Sequence, residues 1–129
     1  MTSEEMKART KQFALRIIRL VESLPNTKSA QIIGKQLLRC GTSVGANYHA
    51  VCRAKSTADF INKLAVVEEE ADEAIYWIEL IVESSQIKPN LVKNLLDEID
   101  QILSIVVSAI KTTKEKRNPK SELPNPKSI

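Results

Sequence analysis

Apolar residues recur along this chain at steps of three and four, the spacing that lines up one face of an α-helix. Met6, Phe13, Ala14, Ile17, Leu20, Val21 and Leu24 form the first such stripe, and Pro25-Asn26 ends it. The spacing Thr2-x-x-Glu5 matches a capping box, which places the helix start at Thr2 or Ser3. A second helix is predicted over about 28–54, with Ala30, Ile33, Leu37, Cys40, Gly41, Val44, Tyr48 and Val51 inward. The third, about 57–85, opens on Ser56-x-x-Asp59 and turns Phe60, Leu64, Val67, Ala71, Ile75, Ile78 and Val82 to the core. The fourth, roughly 89–114, buries Leu95, Leu96, Ile99, Ile102, Leu103, Val106 and Ile110. No strand pattern interrupts the series. Four long helices with short joints predict an all-α fold, an antiparallel up-down-up-down four-helix bundle. Residues 1–114 form its domain, and the proline-rich, apolar-poor stretch 115–129 reads as a flexible C-terminal tail.

Two glycines disturb this pattern. Gly41 and Gly45 lie in the middle of the second helix, in the run Arg39-Cys40-Gly41-Thr42-Ser43-Val44-Gly45. Each weakens a helix by about 1 kcal/mol relative to alanine. A bare backbone is of use there if another helix approaches closely, so both are read as helix-packing positions. The flanking residues Arg39, Ser43 and Asn47 stack into a polar strip. On the third helix Val66, Glu70, Glu73 and Trp77, at spacings of four, three and four, form a partly apolar stripe beside the core face. That stripe is a candidate oligomer interface, facing the polar strip; the alternative is that Trp77 simply roofs the core edge of its own chain. Leu15 and Ile18, off the main face of the first helix, also suggest that a second chain covers part of the surface.

Charge divides the chain. Residues 1–56 carry ten Lys/Arg against three Asp/Glu, whereas residues 57–114 carry five against eleven. The overall +3 hides a basic half and an acidic half, which can attract each other within a bundle or between copies of it. Arg9, Arg16, Arg19, Lys35, Arg39 and Arg53 from the first two helices are the candidate nucleic-acid-binding residues, a cationic surface for phosphates of RNA or DNA. No aromatic platform or recognised module supplies base readout, so such binding is expected to be salt-sensitive and unselective. No apolar run reaches the roughly 18 residues of a membrane span, and the start lacks a secretion pattern; a cytoplasmic protein is expected.

Candidate chemistry is sparse. Glu69-Glu70-x-x-Glu73 and Asp97-x-x-Asp100 are similar to the paired acidic motifs with which all-α nucleoside triphosphate pyrophosphatases gather Mg²⁺. On a helical wheel, however, Glu69, Asp97 and Asp100 point away from the core stripes and do not converge. The single histidine, His49, rules out a di-iron site built from two Glu-x-x-His motifs. Two cysteines and one histidine cannot complete a four-ligand zinc site. Cys40 and Cys52, some 18 Å apart along one helix, cannot pair with each other and are read as buried thiols beside the apolar stripe. Neither Cys40 nor Ser43 has a histidine one turn away. The expectation is therefore no catalytic residue, no metal and no cofactor.

The ordered combination Arg39-Cys40-Gly41-Thr42-Ser43-Val44-Gly45-Ala46-Asn47, Ser56-x-x-Asp59-Phe60 and Glu70-x-x-Glu73-x-x-x-Trp77 resembles the bacterial four-helix-bundle proteins encoded within intervening sequences of 23S ribosomal RNA genes. These are also labelled ribosomal proteins, and the resemblance covers about residues 10–110. It implies assembly into a ring-like homopentamer. A related family, the accessory proteins of diversity-generating retroelements, shares the architecture and binds nucleic acid through basic surfaces. His49 and Val51 stand where many members carry an acidic residue and glycine, and no catalytic residue carries over. The reading is a non-enzymatic binding or scaffold protein. The alternatives are an assembly module that binds no nucleic acid, and a Mg²⁺-dependent pyrophosphatase.

Overall fold

The computed structural model describes residues 1–117, in which α1 (Ser3–Glu22), α2 (Lys28–Val51), α3 (Thr57–Glu83) and α4 (Lys93–Arg117) make up an all-α fold. Helix neighbours run α1–α2, α2–α3 and α3–α4, and α1 closes lightly on α4. Ser3, Val51, Thr57 and Thr113 meet around one hollow, so the start of α1, the end of α2, the start of α3 and the end of α4 share one end of the molecule. At the other end Gln86 receives the Thr27 hydroxyl at 3.0 Å and donates to Ser29 at 3.0 Å. The helices therefore alternate up and down.

Local chemistry sets the ends. Thr2 Oγ1 accepts the Glu5 amide and Glu5 Oε1 accepts the Thr2 amide, closing the box expected from sequence. Thr27 caps α2 through the Ala30 amide, a cap that the sequence reading did not single out. Ser56 caps α3 through the Asp59 amide, but the reciprocal carboxylate bond goes to the Lys55 amide, one residue upstream of a strict box. At the end of α3 the Gln86 amide reaches Ile81 O and the Ser85 amide reaches Val82 O. Ser85 sits at φ 63°, where such a cap ordinarily takes glycine.

Three boundaries differ from the sequence reading. α2 stops at Val51, short of residue 54, and Cys52 is its cap. The stretch Pro89–Leu91 is a separate 3-10 turn, and α4 proper starts at Lys93. Proline, with its φ fixed and no N–H to give, opens a turn readily, but Val92 at φ −116° breaks the path into the helix. α4 then runs through residues 115–117, part of the segment read as tail; residues 118–129 lie outside the described residues.

The core joins Phe13 and Ile17 of α1, Leu37 and Val44 of α2, Leu64 and Ile78 of α3, and Ile99 and Ile102 of α4, all essentially closed to solvent. On α3 the closed face is Ile61, Leu64, Val67, Ala71, Ala74, Ile78 and Ile81. Phe60, Ile75 and Val82, read as core, are half-buried beside it, because α3 packs against both α2 and α4 and its apolar face is wider than one stripe. Cys40 is buried as expected. Cys52 is exposed, because the helix ends beneath it.

The glycines mark where α1 meets α2. A Cβ on Gly41 would lie 2.8–3.2 Å from three atoms of Ile17, and one on Gly45 would lie 3.2 Å from the Thr10 carbonyl oxygen. Gly34, which the sequence reading left out, faces the Leu24 side chain in the same way. Opposite Gly45, the buried Thr10 satisfies its own hydroxyl on Met6 O at 2.9 Å, so no polar group is stranded at the contact.

Candidate assembly and nucleic-acid surfaces

The polar strip on α2 meets the stripe on α3 inside one chain. Arg39 Nη1 donates to Glu70 Oε1 at 3.3 Å and Nη2 to Glu73 Oε2 at 2.6 Å. The same Glu73 oxygen accepts the Trp77 indole N–H at 2.9 Å. Trp77 in turn stands edge-on to Tyr76, with ring centroids 5.0 Å apart. Asn47 bonds back to Ser43 O within its own helix, so of the strip only Arg39 is seen to bond across to α3. Glu70, Glu73 and Trp77 thus have partners without a second subunit, and Trp77 is packed on the core edge. Of the stripe, Val66 remains apolar and outward, 38% exposed.

Two donors on one oxygen hold the Glu73 carboxyl below its ordinary value, the Trp77 indole first and Arg39 second. A depressed carboxylate adds stability that is present above its unfolded value and is lost as pH falls through the folded one. Trp77 is the only tryptophan and reports this directly. Its emission should titrate with a midpoint below 4.5, the ordinary glutamate value. In Arg39→Gln the midpoint should rise, since one of the two donors is gone. Fluorescence pH titration of both proteins checks it; coincident midpoints would remove Arg39 from the network.

The six cations do not form one surface. Arg9 clamps Glu98 with two bonds of 2.7 and 2.9 Å and reaches Gln101 Oε1 at 2.6 Å, tying α1 to α4. Arg39 is tied to α3 on the α2–α3 flank. In the cyclic order of the helices these two flanks lie opposite each other. The cause is the charge division itself: acids on α3 and α4 draw the nearest arginines of α2 and α1 into pairs. The guanidinium of Arg9 is accordingly raised, chiefly by its hydrogen bonds to Glu98. Arg16, Arg19, Lys35 and Arg53 have no ion-pair partner among the described residues, and all but Arg16 are exposed.

A groove of about 540 Å³ runs along the α1–α2 flank at the end of the bundle that holds Ser3. Ala8, Ala14, Gly45 and Ala46 line it with little bulk, and Lys7, Lys11 and His49 stand around it. It exists because Gly45 lets the backbones close up while their outward neighbours are small. Lys11 and Tyr76, the latter 56% exposed, are surface features that the sequence reading passed over. Their signal was available: both lie on the face opposite their helix's core stripe.

The acids read as a possible Mg²⁺ set are dispersed. Glu70 and Glu73 hold Arg39, Asp97 lies 3.6 Å from Lys93, and Glu69 and Asp100 are exposed. Among the described residues no three His, Cys, Asp or Glu side chains are grouped to hold a metal ion. Burial raises the Cys40 thiol to about 12, which leaves it un-ionised and unreactive near neutrality. None of the described helices is long and apolar enough to cross a membrane.

A family model described as 23S rRNA-intervening sequence protein matches residues 3–108. Among solved structures, the chain is similar to a protein of unknown function from the S23 ribosomal protein family of Bacteroides thetaiotaomicron VPI-5482. The two share 36% identity with a TM-score of 0.80, over 86% of this chain and 99% of that one. Comparison with curated proteins gave no match.

Proposed function

We propose that this chain, which belongs to the 23S rRNA-intervening sequence protein family, is a non-enzymatic scaffold of the cytoplasm that assembles with copies of itself. In this reading the assembly is a ring, a homopentamer in the form that the sequence resemblance implies. It holds RNA or DNA by the phosphate backbone and reads no sequence. The observation that carries the binding half is the set of cations left over after internal pairing. Arg9 and Arg39 are engaged by Glu98, Glu70 and Glu73, whereas Arg16 and Arg19 of α1, Lys35 of α2 and Arg53 of the α2–α3 joint keep their charge for an outside anion. Repeated around an assembly, four weak contacts per copy add by multivalency.

Filter binding to single-stranded RNA and duplex DNA tests this. Neutralising four phosphates per copy predicts a loss of affinity of about 10²-fold between roughly 50 and 200 mM salt, similar for unrelated sequences. Arg16→Ala, Arg19→Ala and Lys35→Ala together should flatten that dependence and leave the fold intact. Binding that is absent at the lower salt would dismiss the nucleic-acid half.

The pairing of Arg9 and Arg39 within the chain favours a second reading, an assembly module whose charges serve only its own contacts. Light scattering that reports an oligomer, together with no retention of RNA or DNA, would select it. Phosphate release from a panel of nucleoside triphosphates with Mg²⁺ would instead contradict the non-enzymatic reading.

A further inference from the structure

We propose that the outer face of α3, with Tyr76 as its projecting side chain, docks into the α1–α2 groove of a second copy of this chain. The inference rests on the self-assembly in the preceding reading and names its two contacting surfaces. Three observations lead to it.

The first is the setting of Tyr76. This exposed tyrosine stands edge-on to Trp77, which bonds to Glu73, which bonds to Arg39. The chain of contacts that the sequence suggested as an interface thus ends on Tyr76, which rests against Trp77 and leaves more than half of its surface open. Tyrosine is well suited to anchoring a contact, since it buries a large area with few torsions to freeze.

The second is what surrounds it. Glu69, Asp72, Glu79 and Glu83 fall on the same outward line at steps of three and four. All four are exposed, and none is ion-paired among the described residues. An aromatic flanked by free carboxylates needs a partner that is apolar at its centre and cationic at its margin.

The third is that this same chain carries such a partner. The groove has a floor of Ala8, Ala14, Gly45 and Ala46, and its volume of about 540 Å³ admits a whole aromatic side chain. On its margin Glu4 and Lys7, 3.6 Å apart, offset each other, and Lys11 stands free as the unbalanced charge. Groove and knob lie on different sides of the bundle, so no copy fills its own groove. Each copy offers one of each, and the contact is head-to-tail, the kind that builds rings. Charge complementarity decides for a second copy over an unrelated partner, since the basic and the acidic surface come in equal number whenever the chain is made.

Sedimentation velocity on the full chain tests the pairing, with circular dichroism melting as the control for folding. Tyr76→Ser removes the knob, and Ala46→Trp fills the groove from an exposed position. Either should weaken self-association by about 30-fold, the effect of losing a central aromatic anchor, with melting unchanged. Lys11→Glu and the pair Glu69→Lys/Asp72→Lys should each lower the mass alone, and combining all three changes in one chain, which reverses the charge on both sides of every contact, should restore it. An oligomer whose mass is untouched by Tyr76→Ser and Ala46→Trp would overturn the inference and leave the assembly reading standing. A wild-type chain that sediments as a monomer would overturn both. Groove variants that keep their mass but lose RNA would mark the groove as a nucleic-acid surface, and that too would overturn it.

Discussion

Gly41→Ala is expected to destabilise the bundle by about 1–2 kcal/mol, even though the same change at an open helix position stabilises by about 1 kcal/mol. The new Cβ would come within 2.8–2.9 Å of both γ-carbons of Ile17. Those atoms sit on a branched β-carbon in a residue with no exposure, so the side chain cannot swing aside without eclipsing or pushing into the core. α1 must then move off α2. The other two glycines set the scale. At Gly45 the obstacle is the Thr10 carbonyl at 3.2 Å, a tight contact whose cost roughly cancels the gain in helix propensity. At Gly34 it is the tip of the half-buried Leu24 side chain at 3.0 Å, which can turn away. The order of stability should be Gly34→Ala above wild type, Gly45→Ala near it, and Gly41→Ala below. Urea unfolding of the three variants gives it, and an order led by Gly41→Ala would show that the helices are not pressed together there.

Ile17→Ala should have the larger effect, a loss of about 3–4 kcal/mol, from removing a fully enclosed branched side chain and leaving a cavity. What distinguishes this site from other core positions is its coupling to Gly41. In Ile17→Ala the γ-carbons that obstruct residue 41 are gone, so adding Gly41→Ala places a methyl into vacated space and restores a good helix former. The double variant should therefore be more stable than Ile17→Ala alone, with a coupling of about 2 kcal/mol in a double-mutant cycle. Simple additivity would mean that the two residues do not share one space.

The candidate sites were legible in parts. Arg39, Glu70, Glu73 and Trp77 are read from sequence as a group because helical spacing puts each set on one flank. The structure does join Arg39 to Glu73 and Glu73 to Trp77. Their roles were not legible. A stripe that is half polar and half apolar has the same pattern whether its partner is the next helix or the next molecule, and only the lateral position of α2 shows that Arg39 reaches it first. The cationic set failed for a related reason. Arg9 and Arg16 follow each other at helical spacing, yet Glu98 lies 89 residues further along in sequence and takes Arg9 alone. Tyr76 was missed because an exposed aromatic looks like scatter until it is seen against Trp77.

The sequence by itself determined the number of long helices, the caps that open α1 and α3, and most of the core positions. These depend on local dihedral preferences and on a 3.6-residue period, both written within a few turns of chain. It also placed the bare positions Gly41 and Gly45, since a glycine in mid-helix is visible without knowing what comes near it. Only the tertiary structure decided that Ile17 and the Thr10 backbone are what comes near, which charges cancel, and where a groove opens. Those are outcomes of distance between segments far apart in the chain, and electrostatic and steric energies change over a few ångströms that no spacing rule resolves.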